Sequence, residues 1–207
     1  VVFDMSNRIG ILGGTFNPIH LGHLIMAQDA MEGFELTKVL FVPCDHPPHK
    51  NQTALVPAVH RVAMIEKAIS GNRNFELLDI EIRRGGTTYT IDTLKTLLQT
   101  YKNDELFFVV GSDVLPELHT WHKIDEVLSL CRIITVMRPG FDIKKMNPED
   151  LKIDIKHAEK ILADAICAHQ FNISSSDIRY RAAEGMSLMY LVPSAVDAYI
   201  KENCLYR

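Results

Sequence analysis

The chain has 207 residues, of which 47% are hydrophobic and 23% charged, with a formal net charge of −4. That length fits one domain of ordinary size, and the balance excludes a disordered chain, a collagen-like chain and a disulfide-stapled miniprotein. The negative charge argues against coating nucleic acid or a membrane surface, yet leaves room for a local basic pocket around one small phosphorylated ligand. Cys44, Cys131, Cys167 and Cys204 form no CxxC pair suited to zinc or a redox dithiol, and read as reduced thiols of a cytoplasmic protein. No apolar run reaches the about 18 residues needed to span a bilayer. Val1–Asp4 precede a start at Met5 and read as a leader, so the fold is expected over Met5–Arg207.

Short β-branched or aromatic runs alternate with longer segments of helical period. Arg8–Leu12 predicts a strand ending at Gly13-Gly14, and Leu21–Met31 a helix with Leu24, Ala27, Gln28 and Met31 on one face. Lys38–Val42 follows as a strand stopped by Pro43, then Pro57–Ile69 as a helix with proline in its first turn. Phe75–Ile82 predicts a strand, Thr90–Tyr101 a helix, Glu105–Val110 a buried strand, Ile124–Leu130 a helix and Ile133–Met137 a strand. Beyond Arg138-Pro139-Gly140 the pattern gives a loop plus helix over Pro148–Leu162, a last strand over Ala165–His169, and closing helices over Ser175–Glu184 and Pro193–Asn203. Such alternation implies one α/β domain, a Rossmann-like doubly wound parallel sheet with right-handed crossovers and C-terminal helices. Its ligands are expected beyond the C-terminal ends of the strands.

The strongest chemical signal is Gly13-Gly14-Thr15-Phe16-Asn17-Pro18-Ile19-His20-Leu21-Gly22-His23. Two glycines after a strand let backbone approach a ligand, and the helix start beyond them offers unpaired N–H groups and a positive dipole end to phosphate. His20 and His23, three apart, can face one space, with Gly22 keeping one side open. The alternatives are a plain turn with surface histidines, or half of a metal site, for which no third ligand has supporting spacing. The string is neither a GxGxxG fingerprint nor a P-loop.

Gly-Gly-Thr-Phe-Asn-Pro-x-His-x-Gly-His resembles the HxGH motif of the nucleotidyltransferase superfamily, and within it the bacterial nicotinate mononucleotide adenylyltransferases. The similarity continues in order through Pro47-Pro48-His49-Lys50, Thr88-Tyr89-Thr90 with Thr93-Leu94, Gly111-Ser112-Asp113 with Trp121, and Ile173-Ser174-Ser175-Ser176-Asp177-Ile178-Arg179. Asn17 stands where that family often has Asp, and Ser176 where it has Thr; Asn keeps a short polar side chain suited to a turn and Ser keeps the hydroxyl.

The resemblance implies an adenylyltransferase that joins ATP and nicotinate mononucleotide, with Mg²⁺ accompanying ATP. The attacking phosphate is already an anionic nucleophile, so the site needs positioning and charge stabilisation rather than a nucleophile triad. His20, His23, Lys50 and Arg179 are the expected catalytic residues, both histidines donating from protonated rings and Arg179 offering a planar fork. Gly13, Gly14, Thr15, Phe16, Gly22, Gly111, Asp113, Ile173, Ser174 and Ser175 are expected to join them around ATP, the serines through hydroxyls and backbone donors, and Asp113 through ribose hydroxyls. Asn17, His49, Lys50, Thr88, Tyr89, Thr90 and Trp121 are expected around the mononucleotide, with Trp121 stacking on the pyridine. By themselves Lys50 would be a surface lysine, Asp113 a helix cap and Trp121 a core residue. His46, His119 and His122 read as surface or rim residues.

Rival acceptors are phosphopantetheine, disfavoured by His20 and the Tyr-Thr and Trp segments, and nicotinamide mononucleotide, towards which the bacterial-type motifs do not lean. A tRNA-charging enzyme lacks support, since Lys144-Lys145-Met146-Asn147 is no Lys-Met-Ser-Lys-Ser loop. A hydride-transferring dehydrogenase lacks its glycine fingerprint. A non-catalytic nucleotide-binding regulator should have lost part of the His20, His23, Lys50 and Arg179 set, and all four are present. The sequence is compatible with a homo-oligomer; it implies no nucleic-acid or membrane partner.

Overall fold

A computed structural model describes residues 6–45, 55–167, 169 and 171–207. Six strands, β1 (Arg8–Gly14), β2 (Lys38–Pro43), β3 (Phe75–Leu77), β4 (Glu105–Gly111), β5 (Arg132–Val136) and β6 (Ala165–Ile166), form a parallel sheet in the order β3-β2-β1-β4-β5-β6. The helices are α1 (Leu21–Gly33), α2 (Ala58–Ile69), α3 (Ile80–Arg84), α4 (Thr90–Thr100), α5 (Ile124–Leu130), α6 (Ile155–Ala163), α7 (Ser175–Ala183) and α8 (Ser194–Glu202). This is the doubly wound order expected from the strand–helix alternation.

Strand alternation divides the core. In β4, Phe107 and Val109 face a cluster shared with α1, α2, α7 and α8. Leu106, Phe108 and Val110 face a second cluster, completed by α4, α5 and α6. With both faces covered, the strands need no polar side, which is why they read as apolar runs.

Three elements depart from expectation. The strand expected over Phe75–Ile82 stops at Leu77, and Ile80–Arg84 is helical. The ladder with β2 ends at Phe41↔Leu77, Leu78 N–H makes a last bond to Phe41 O at 2.9 Å, and the Arg83 side chain reaches back to Asp79 across one helical turn. The alternating apolar positions Leu78 and Ile80 still pack on the core, so the period alone did not separate the two states. The last strand is only Ala165–Ile166 rather than Ala165–His169, and Ser112–Thr120, given no element by the sequence, is a 3-10 helix.

The sheet opens where the site forms. β1 pairs with β4 only as far as Ile11↔Phe108, while its pairing with β2 continues to Gly14↔Pro43 and that of β4 with β5 to Gly111↔Val136. Beyond Ile11 and Phe108 the two central strands part, at the point where the winding of the sheet reverses. Among the described residues no helix is long and apolar enough to cross a membrane.

Candidate active site

A cavity of about 520 Å³ lies in this opening. Gly13, Gly14 and Thr15 from the end of β1 form one wall, and Val109, Val110, Gly111 and Asp113 from the end of β4 form the other. Gly13 sits close under Phe108, where a Cβ would stand 3.1 Å from the ring and press on it. Gly13 is exposed and Gly14 partly so, which leaves strand backbone open to the cavity at the parting.

His20 and His23 line the floor, at the start of α1. Their rings stack at 3.7 Å, and the His20 backbone N–H donates to His23 Nδ1 at 3.2 Å. That bond makes Nδ1 of His23 the acceptor, so the neutral ring carries its hydrogen on Nε2. The Phe16 side chain is buried, at φ 46°, with its ring edge-on to His23 at 5.0 Å. Gly22 does not keep a side open: a Cβ there would meet the Phe171 ring at 2.7 Å, so the glycine admits Phe171 against the turn.

His20 is only 3% exposed, and its Nδ1 is buried with no hydrogen-bond partner among the described residues. Burial, followed by the positive charge of Arg138, pulls its pKa down to about 4. The expectation of a doubly protonated donor therefore fails for this ring at neutral pH without substrate. It is a neutral imidazole at neutral pH.

The C-terminal segment is stitched to the turn before α1. Arg179 Nη1 donates to Asn17 O at 2.8 Å and Nη2 to Ser176 Oγ at 3.2 Å, while Ser175 Oγ donates to Pro18 O at 2.9 Å. Ser174 caps α7, its Oγ accepting from Asp177 N–H at 3.1 Å. The start of α7 is thus fixed beside the start of α1, with Ile173, Ser174, Ser175, Ser176 and Arg179 all on the cavity wall. The expected serine hydroxyl donors need correcting for Ser175, whose hydrogen goes to a backbone carbonyl. Asn17 is nearly buried, its Oδ1 accepting from Tyr206 OH at 2.9 Å and Val56 N–H at 3.3 Å; burial raises the Tyr206 pKa, keeping it a donor.

Trp121, Thr88 and Thr90 also line the cavity. Trp121 stands edge-on to Phe108 at 5.6 Å, on the cavity rather than in the interior of the core. Tyr89 is not on the wall and packs against His122, their rings tilted by 39° with centroids 4.5 Å apart. Lys50 and His49, with His46, Pro47 and Pro48, lie outside the described residues.

Two further wall residues, Glu81 and Arg138, and the buried Arg61 stand outside the sequence motifs. Glu81 of α3 is buried, accepts from Thr93 Oγ1 at 2.5 Å, and is also bonded by Thr88; burial raises its pKa against those bonds. It was hidden by the strand expected there. Arg138 lies two residues beyond the end of β5, lines the cavity and pairs with Asp113 at 3.2 Å. The rule that singled out Asp113, polar residues just past a strand end, would have found it. Arg61 of α2 is 1% exposed and donates to the carbonyls of Thr15 at 2.9 Å, Cys44 at 2.7 Å, Val56 at 3.3 Å and Asp45 at 3.4 Å. It ties the glycine turn to the segment after β2.

Comparison with known proteins agrees with this architecture. Residues 11–181 match the cytidylyltransferase-like family. A probable nicotinate-nucleotide adenylyltransferase of Desulfitobacterium hafniense is 42% identical over 204 residues, covering 97% of this chain and 96% of the relative. One from Geotalea uraniireducens is 42% identical over 212 residues, covering 96% and 98%. Among solved structures, the Plasmodium falciparum nicotinic acid mononucleotide adenylyltransferase complexed with NaAD superposes with a TM-score of 0.71 at 22% identity, covering 97% of this chain and 98% of that one, which supports the fold. A likeness of this extent in sequence places the chain in the cytidylyltransferase-like family and, within it, among the nicotinate-nucleotide adenylyltransferases.

Proposed function

We propose that the chain transfers the adenylyl group of ATP to nicotinate mononucleotide, releasing pyrophosphate and giving nicotinate adenine dinucleotide for NAD biosynthesis. The observation that carries this is the parting of β1 from β4, which opens a cavity lined by two histidines, the starts of α1 and α7, Trp121 and the hydroxyls of Thr88 and Thr90. The mononucleotide phosphate attacks the α-phosphorus of ATP in line. As the new P–O bond forms, the bond to the bridging oxygen of the β-phosphate breaks, and pyrophosphate leaves with the electron pair. No proton has to be removed from the nucleophile, so the work of the protein is to hold two anions in register and stabilise the charge that shifts between them.

In this reading, His23 Nε2–H and the backbone N–H groups of Gly14 and Thr15 meet the phosphates of ATP, with His20 beside them. His20, neutral before binding, becomes a cation more readily once a triphosphate sits against it, because the opposite charge favours its protonated form. Arg179 uses N–H groups beyond those given to Asn17 and Ser176, and Lys50 is assigned to the phosphates by its motif. Asp113 takes ribose hydroxyls, Trp121 the pyridine face, and Thr88 and Thr90 the nicotinate end. Mg²⁺ enters as part of MgATP: no group of three His, Cys, Asp or Glu side chains among the described residues is arranged to hold an ion, and phosphate oxygens with water can complete its shell. When bound, it neutralises charge on the departing pyrophosphate. The four cysteines are free thiols, which suits the reducing cytoplasm where we place the reaction.

The test is pyrophosphate release from MgATP with nicotinate mononucleotide, nicotinamide mononucleotide and phosphopantetheine side by side. Release should require a pyridine mononucleotide and be fastest with the acid. Turnover with phosphopantetheine alone, or with no acceptor at all, would remove the assignment.

A further inference from the structure

Arg138 lines the cavity with His20, Ser174 and Arg179, and the roles above leave it unused. Its backbone N–H donates to Ser112 Oγ at 3.0 Å, which fixes where the side chain begins. The guanidinium lies across Gly111: a Cβ there would stand 2.6 Å from Arg138 Nε and against the Asp113 carboxylate, so the pair requires glycine at this position. Arg138 Nε is 3.2 Å from Asp113 Oδ1, yet it is buried and makes no well-aligned hydrogen bond among the described residues. The Asp113 side chain is 56% exposed. Ion pairs with so wet a partner hold weakly, whereas a guanidinium on a phosphate makes short, charge-assisted bonds in a matching fork. The charge of Arg138 also reaches His20, on the cavity floor.

We propose that Arg138 is a further phosphate-binding residue, paired with Asp113 before substrate arrives and moving onto a substrate phosphate as Asp113 turns to a ribose hydroxyl. The proposal rests on the adenylyltransferase reading. Its ligand is a phosphate oxyanion, supplied by ATP or by the mononucleotide.

Calorimetric titration of the wild type and Arg138→Gln with MgATP, adenosine, nicotinate mononucleotide and nicotinate riboside, each alone, separates the possibilities. The variant should bind one phosphorylated ligand roughly 10- to 100-fold more weakly, the scale of a charged hydrogen bond, and the matching nucleoside less than about threefold more weakly. Which nucleotide suffers identifies the phosphate. Equal losses for nucleotide and nucleoside would make the pair with Asp113 merely structural and overturn the proposal, as would unchanged affinity for both nucleotides. If the glutamine variant does not fold, Arg138→Lys, which keeps charge without the fork, carries the same test: a phosphate-selective loss supports the proposal, and an equal or absent loss overturns it. A wild type that binds neither nucleotide would instead overturn the adenylyltransferase reading.

Discussion

His20 and His23 sit one helical turn apart with their rings stacked, yet burial gives them different work. An unfolded histidine takes up a proton near pH 6.5, while the folded His20 ring resists one until about pH 4. Between those values the unfolded chain binds more protons, so the fold loses stability as the pH falls. The loss approaches the order of 3 kcal/mol at the lower end. Urea unfolding at pH 4.5 and pH 7 should show this slope in the wild type and a shallower one in His20→Asn; identical slopes would mean that His20 is not the group responsible. His23 makes a sharper kinetic statement. His23→Ala should lower kcat by about 10²-fold or more, the usual cost of losing a donor to transition-state charge, and near-normal kcat in a folded variant would return the ring to a structural role.

The elements show what a sequence can and cannot reveal about such a site. The glycine turn, the two histidines and the Ser-Ser-Ser-Asp-Ile-Arg segment are local strings, and each was legible because its chemistry is carried by neighbours in the chain. Arg61 is the opposite case. It occupies the first turn of α2, and every carbonyl it holds except that of Val56 belongs to a segment far away in sequence. No periodicity marks it as the buried hub between the glycine turn and the chain after β2. Arg61→Met would take that donor away from the part-buried carbonyls of Thr15 and Cys44, at about 1–3 kcal/mol for each group left unsatisfied. Equilibrium unfolding should therefore place the variant about 3 kcal/mol or more below the wild type. A cost no larger than that of an exposed arginine such as Arg73 would contradict the clamp. α3 was lost for a related reason: Leu78 and Ile80 alternate as in a strand, and only the end of the β2 ladder fixes where the helix begins.

For the whole molecule, alternation of short apolar runs and helical periods was enough to give the doubly wound sheet, because each strand had to be buried on both faces. It could not give the parting of β1 from β4, which depends on register between strands as far apart in sequence as Arg8 and Glu105. Yet that parting makes a site out of residues from the beginning, middle and end of the chain. It explains why Gly13 and Gly14 belong to the strand and line the cavity at once, and why Trp121 leaves the interior to face it. The most direct measurement is a crystal structure of the protein with nicotinate adenine dinucleotide. The account expects the two phosphates between the Gly13–Thr15 backbone, His23 and Arg179, and the pyridine against Trp121. Density for the dinucleotide anywhere other than between the ends of β1 and β4 would contradict it.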